Sequence, residues 1–291
     1  MEPIVLSTND YENIKNKCKR VGSGVDGTAY KINNHTIYKF YHKNHDYITI
    51  PNATVDEDGV IINDFKSLRP YIKVNKANEN ILYTDSDGVI LTREEAIYKA
   101  IEKQEFVKLT DLPKNIIYVN NKIAGCEYTY YPKKLGIYAS AYLPLKKRLI
   151  ICNKILEKVK ELLDNNIYPV TLAQRDDIFP FKSNGSNILI GTDLDPKIID
   201  LDGISALYSD RYSKKYYDRV LSSLSALILE LLARVDLANN IEDDEVVISD
   251  NIVQMNEVGI SPLFSRKFYD YNGLNMDDLI HIIKTLEKRK K

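Results

Sequence analysis

Three sets of residues in this chain have the types and spacing to do chemistry together. The first lies in Val21 to Phe40, VGSGVDGTAYKINNHTIYKF, where Gly22, Gly24 and Gly27 stand in G-x-G-x-x-G spacing. Such a run lets backbone approach a phosphate closely, and it is used in two settings. In a dinucleotide-binding fold the glycines follow a strand and open a helix. Here Thr28 to Ile32 reads as a strand and Asn33-Asn34 as a hairpin turn, so the expected order is strand, glycines, strand. The second is Lys39, on the following strand in TIYKF, flanked by apolar and aromatic residues where an unpaired ammonium is costly to bury. The third is NILIGTDLDPKIIDLDG, Asn187 to Gly203, two short apolar runs joined by a turn of Gly, Asp and Pro. A hairpin there brings Asn187 and Asp200 together. An amide oxygen beside a carboxylate is the hard-oxygen pair that a Mg²⁺ ion holding nucleotide phosphates takes. Taken singly, a glycine-rich hairpin with a surface lysine, or an ordinary hairpin with polar ends, satisfies each pattern.

Taken together, the glycine loop, Lys39, Asn187 and Asp200 resemble the protein-kinase-like fold family. The version is divergent, closer to bacterial or phage proteins than to eukaryotic kinases, and the resemblance covers most of the chain. It implies an α+β, two-lobed fold: a β-rich N-terminal nucleotide-binding lobe at 1–131 and a helical C-terminal lobe at 132–291 that carries the catalytic and metal loop. It implies ATP in the interlobe cleft, with Gly22, Gly24 and Gly27 over the phosphates and Lys39 on the α- and β-phosphates. A helix glutamate would orient that lysine, and Asn187 with Asp200 would hold Mg²⁺. One departure is Ile37, which stands where the family's V-A-I-K strand has a small alanine facing adenine.

The catalytic loop departs further. The family reads H-R-D-L-x-x-x-N after a long helix, whereas this chain has IYPVTLAQRDDIFPFKSNGSN. Counting back from Asn187 puts Lys182 in the aspartate's place, and matching from the helix end puts Thr171 there. The local carboxylates are Asp176 and Asp177, which are either displaced proton acceptors or two solvated acids on a loop. General-base assistance contributes roughly 10² to 10⁴ in rate, so its loss slows such an enzyme without abolishing nucleotide binding. Asp200-Leu201-Asp202-Gly203 occupies the D-F-G place with Leu201 for the aromatic and Asp202 for the glycine. The expected function is Mg·ATP-dependent phosphotransfer to a protein or small molecule. The alternatives are a nucleotide-binding pseudokinase acting as regulator or scaffold, and nucleotidyl transfer on the same fold.

The elements that must position these residues follow from pattern. Residues 42–91 alternate short strand-like runs with Asp58-Gly59 and Asp87-Gly88 turns, and read as a β-rich insertion in the small lobe. Thr92 and Glu95 make a capping box for a helix whose apolar stripe is Ile97, Ala100 and Ile101. Glu95 then has two competing roles, cap and Lys39 partner; Glu94, Glu102 and Glu105 are the other candidates. IIYVNNKIAGCEYTYY gives a hairpin through Asn120-Asn121. Leu143 to Asn166 is a long amphipathic helix with Leu149, Cys152, Ile155, Leu156, Val159, Leu162 and Leu163 on one face. Tyr217 to Val235 is a second, strongly apolar helix with Asp218 at its start, and DDLIHIIKTLEKRKK is the last.

Composition bounds the rest. The 291 residues, 44% hydrophobic and 28% charged, can bury a sizeable core. A formal net charge of −1 gives no global reason to expect nucleic acid or an anionic membrane as partner. Cys18, Cys126 and Cys152 are far apart and lack CxxC spacing, so neither a disulfide framework nor a zinc site is suggested. The N-terminal stretch has no apolar h-region, and no run of about 18 apolar residues occurs. A reduced, cytoplasmic setting fits these features.

Overall fold

The computed structural model describes residues 3–24, 27–42, 54–55, 61–62, 72–75, 80–83, 97–98, 101–132, 135–136, 140–165, 167, 169, 172, 187–199, 201, 210–235, 245–270 and 274–289. The chain divides into two compact units, Met1–Tyr131 with Leu201–Tyr212, and Pro132–Asp200 with Ser213–Lys291.

The first unit begins with β1 (Ile4–Leu6) and α1 (Thr8–Lys17), followed by the meander β2 (Lys19–Ser23), β3 (Gly27–Lys31) and β4 (Thr36–Tyr41). Two small hairpins come next, β5 (Thr54–Val55) with β6 (Ile61–Ile62) and β7 (Ile72–Asn75) with β8 (Asn80–Tyr83). The runs GVII, YIKV and ILYT thus contain strands, while YITI and GVIL lie outside the described residues. β9 (Asn115–Val119) and β10 (Lys122–Thr129) complete a six-stranded sheet of order β1-β9-β10-β4-β3-β2. The β9–β10 turn is the expected one: Asn120 and Asn121 have φ of 52° and 61°. Two-residue hairpin turns require that conformation, and asparagine tolerates it.

Strand alternation sorts the side chains of β4 onto two faces. Tyr38 and Phe40 share one face with Tyr30, and Tyr11 of α1 sets its ring edge-on to Phe40 at 4.7 Å. Ile37 and Tyr41 face the other way, into a core of Ile97, Ile116, Cys126 and Tyr128 with Ile101, Tyr118 and Ile123 packed against it. Residues 97–98 and 101–102 are helical, and Ile97 and Ile101 of the expected apolar stripe pack against this face. The sequence reading missed β1 and α1, although Ser7 and Asp10 stand in capping-box spacing. β1 is three residues long and pairs in parallel with β9, Ile4 opposite Ile117. α1 buries no residue and is held by a capping box, in which Ser7 Oγ accepts the Asp10 N–H at 3.1 Å and the Asp10 carboxylate accepts the Ser7 N–H at 3.2 Å.

The second unit contains β11 (Leu135–Gly136), α2 (Leu145–Asp164), β12 (Ile188–Ile190), β13 (Pro196–Ile198), all but the first three residues of α3 (Asp210–Ala233), α4 (Glu245–Glu257), α5 (Pro262–Asp270) and α6 (Met276–Lys288). The stripe expected on α2 is buried throughout, and α6 packs beside it, with Asn153 Nδ2 donating to Glu287 Oε1 at 2.6 Å. α3 corrects the sequence reading. It starts at Asp210 rather than Tyr217, because DRYSKKYY contains neither glycine nor proline to stop a helix. Asp218 is therefore an exposed residue about two turns into the helix, not a cap at its start. Among the described residues no helix is long and apolar enough to cross a membrane.

The last turn of α3 is closed from α2. The buried Arg148 guanidinium donates to the carbonyls of Leu231 and Leu232 at 2.7 and 2.6 Å. Those carbonyls have no partner within their own helix, and a charged donor is the strongest way to satisfy them. Arg148→Leu keeps apolar bulk but strands both oxygens. The expected loss is about 1.5–3 kcal/mol of stability, read as a drop of roughly 3–10 °C in Tm. A melt within a degree of the wild type would show the cap to be dispensable.

Candidate functional site

Lys39 stands in β4, with Ala29 of β3 opposite it on one side and Cys126 of β10 on the other. Alternation puts it on the face of Ile37 and Tyr41, the face that carries the core cluster. Its Nζ lies 5.7 Å from the centroid of the Tyr41 ring, within the range of a cation–π contact. The Tyr41 hydroxyl lies 3.1 Å from Cys126 Sγ, in a buried pair. Ile37, at the place of the family's alanine, is partly buried against the same cluster.

The strands on either side of Lys39 approach β4 so closely that each needs a glycine. A Cβ on Gly27 would run into the Phe40 carbonyl oxygen, and one on Gly125 into the carbonyl oxygen of Lys39 itself. Gly125 sits where the β9–β10 register shifts, a place where glycine lets two backbones come together. Sequence reasoning missed this residue. The available clue was an isolated glycine inside the strand pattern of KIAGCEYT.

Gly22 and Gly24 behave differently. A Cβ on either would meet nothing within 4 Å, so packing among the described residues does not demand glycine there. The hairpin is closed by the Gly24 N–H donating to the Gly27 carbonyl at 2.9 Å. It is tied on its edge by Ser23 Oγ to Thr28 Oγ1 at 2.9 Å and Thr28 Oγ1 to His42 Nε2 at 3.1 Å. Among the described residues the space above Gly22 and Gly24 is open, and a glycine hairpin with that space leaves room for a phosphate to approach its backbone. β3 follows the glycines directly, pairing with both β2 and β4. A strand in that place removes the dinucleotide-fold arrangement, which needs a helix.

The second unit holds the candidate metal hairpin. β12 and β13 pair antiparallel with Ile188 opposite Ile198, and Ile190 opposite Pro196. Pro196 thus belongs to the strand, and the turn is 191–195. At the open end the Ile199 N–H donates to the Asn187 carbonyl at 2.8 Å, so the chain just before Asp200 runs beside Asn187. The turn is anchored by an arrangement the sequence did not suggest. Asp195 binds Lys197 at 2.7 Å and reaches Lys158 and Lys154 of α2 at 3.5 and 3.8 Å. Burial opposes ionisation of Asp195, but the Lys197 hydrogen bond and the Lys158 charge outweigh it, holding the carboxyl below its ordinary range. Lys154 and Lys158 are one helical turn apart, and this spacing is the clue that sequence reasoning passed over.

Of the remaining candidates, Glu102 and Glu105 are exposed. Thr92, Glu94, Glu95, Thr171, Asp176, Asp177, Lys182, Asp200 and Asp202 lie outside the described residues. Leu201, in the place of the family's aromatic, is fully buried.

No protein-family model and no curated protein matches the chain. Solved structures do, 366 chains in all. Among them is the structure of an apo pseudokinase, similar with a TM-score of 0.52 at 10% identity over 98% of this chain and 94% of that one. The likeness establishes the fold, a mixed α+β architecture of the kinase-like, two-lobed kind.

Proposed function

We propose that this chain, built on a kinase-like fold, is a divergent member of the bacterial or phage type that binds Mg·ATP and transfers the γ-phosphate to a protein or small molecule. The observation that carries the reading is Lys39, held in mid-sheet on the core-facing side of β4, in the same sheet as a glycine hairpin with open space above Gly22 and Gly24. Backbone N–H groups of the hairpin would take the phosphate oxygens, which only residues without a Cβ let come close. Lys39 would neutralise the α- and β-phosphates. Asn187 and Asp200 have the oxygen donors to hold Mg²⁺, and the ion, when bound, offsets charge on the phosphate oxygens. Asp176 or Asp177 would accept the proton of the attacking hydroxyl.

A second reading, a nucleotide-binding pseudokinase acting as regulator or scaffold, is favoured by one observation. Neither Lys182 nor Thr171 supplies a carboxylate where the family's catalytic aspartate belongs. Both readings require nucleotide binding, and thermal melting tests it directly. Mg·ATP at 100 times its Kd should stabilise the protein by about 2.7 kcal/mol, and Lys39→Ala should remove most of that gain. No shift at millimolar nucleotide, or an equal shift in the variant, would defeat the proposal.

A further inference from the structure

We infer that the Tyr41 ring, fixed by the Cys126 thiol, is a positioning residue that holds the Lys39 ammonium in place and in its charged form. The inference deepens the nucleotide-site reading and takes its functional meaning from it. Three observations support it. Alternation along β4 puts Tyr41 and Lys39 side by side on one face, and Nζ lies 5.7 Å from the ring centroid. Tyr41 is 8% exposed, so the ring is desolvated, the condition under which a ring quadrupole attracts a cation most strongly. The ring is also held at its far end. Its hydroxyl lies 3.1 Å from Cys126 Sγ, and Cys126 is 0% exposed and stands directly across the sheet from Lys39.

The geometry is a closed loop of three links: Lys39 to Tyr41 along the strand, Tyr41 to Cys126 through phenol and thiol, and Cys126 back to Lys39 through the β4–β10 ladder. A buried phenol needs a polar partner, and here that need fixes the ring under the lysine. Gly125 keeps β10 close enough for the link to form.

The test alters the ring's electrostatics and leaves its volume nearly unchanged. Tyr41→Phe is compared with a protein carrying pentafluorophenylalanine at position 41, in which the ring face no longer attracts a cation. Labelling of the Lys39 amine by trinitrobenzenesulfonate, resolved by peptide mass spectrometry, is followed against pH without nucleotide. The expected result is a labelling curve moved to lower pH in the fluorinated protein, with the rate at pH 8 up roughly three- to tenfold over Tyr41→Phe. Equal curves would overturn the inference, because a ring that only fills space does so equally in both. Should Tyr41→Phe fail to fold, Cys126→Ala against Cys126→Ser makes a second comparison: loss of the polar partner of the Tyr41 hydroxyl should move the labelling curve to lower pH in the alanine variant and not in the serine variant, and equal curves would overturn the inference. A parallel titration with Mg·ATP separates this claim from the nucleotide reading. A moved labelling curve with no nucleotide binding by wild type would keep the Tyr41–Lys39 link and dismiss the nucleotide site.

Discussion

Gly125→Ala should lower the stability of this protein by about 3 kcal/mol or more, the upper end of what an overpacked methyl costs. The added Cβ meets the Lys39 carbonyl oxygen, a backbone atom that cannot rotate aside. Relief requires β10 to leave β4, and that ladder runs from Thr129 opposite Thr36 to Gly125 opposite Phe40. For a chain of this size the loss corresponds to a fall of roughly 6–12 °C in Tm. Gly22→Ala and Gly24→Ala are the controls. Their Cβ atoms enter open space, so their melts should stay near wild type while Mg·ATP affinity falls. A Gly125→Ala protein that melts with wild type would mean that the sheet accommodates a methyl at its tightest point.

The second large effect concerns the fate of labelled ATP. Transfer of the γ-phosphate should be slow, dependent on Mg²⁺, and reduced by at least about 10² in Asp200→Asn, which removes the charge proposed to position the metal. The structural support is the hydrogen bond from Ile199 N–H to the Asn187 carbonyl, 2.8 Å long, which brings the residue preceding Asp200 to Asn187. Asp176→Asn and Asp177→Asn should divide sharply. The one serving as proton acceptor loses roughly 10² or more in kcat with little change in nucleotide affinity, and the other loses almost nothing. If γ-label stays intact in a protein that binds Mg·ATP, the scaffold reading replaces the enzyme reading. Label incorporated from the α-position alone would point to nucleotidyl transfer.

What the sequence made legible shares one physical property, locality. The β2–β3 and β9–β10 hairpins, the lysine strand and the α2 stripe depend on residues a few positions apart, so turn chemistry and periodicity reveal them. What it hid depends on distant partners. β1 is a strand only because β9 is there to pair with it, and Val5 remains exposed. Gly125 is a glycine because of a carbonyl on another strand, and the place of Asp195 is set by two lysines on α2. The early start of α3 has a different cause. Its first turns are polar, so a reading keyed to apolar residues begins too late.

The sheet order carries a kinetic consequence. β2, β3 and β4 form one local meander and β9 with β10 another, but the seam between Lys39 and Cys126 joins positions far apart in the chain. Loop closure has to precede the reward for such pairing, so the two halves assemble first and the seam follows. The surroundings of Lys39 sit on that seam: Tyr41 with its thiol partner, and the glycine of β10. The lysine therefore acquires its surroundings only when the sheet is complete. The length of the connection matters little to that outcome, because closure entropy grows only logarithmically. Removing residues 42–91 from the connection would change it by less than about 1 kcal/mol, which leaves this position in the sheet open to carrying extra chain.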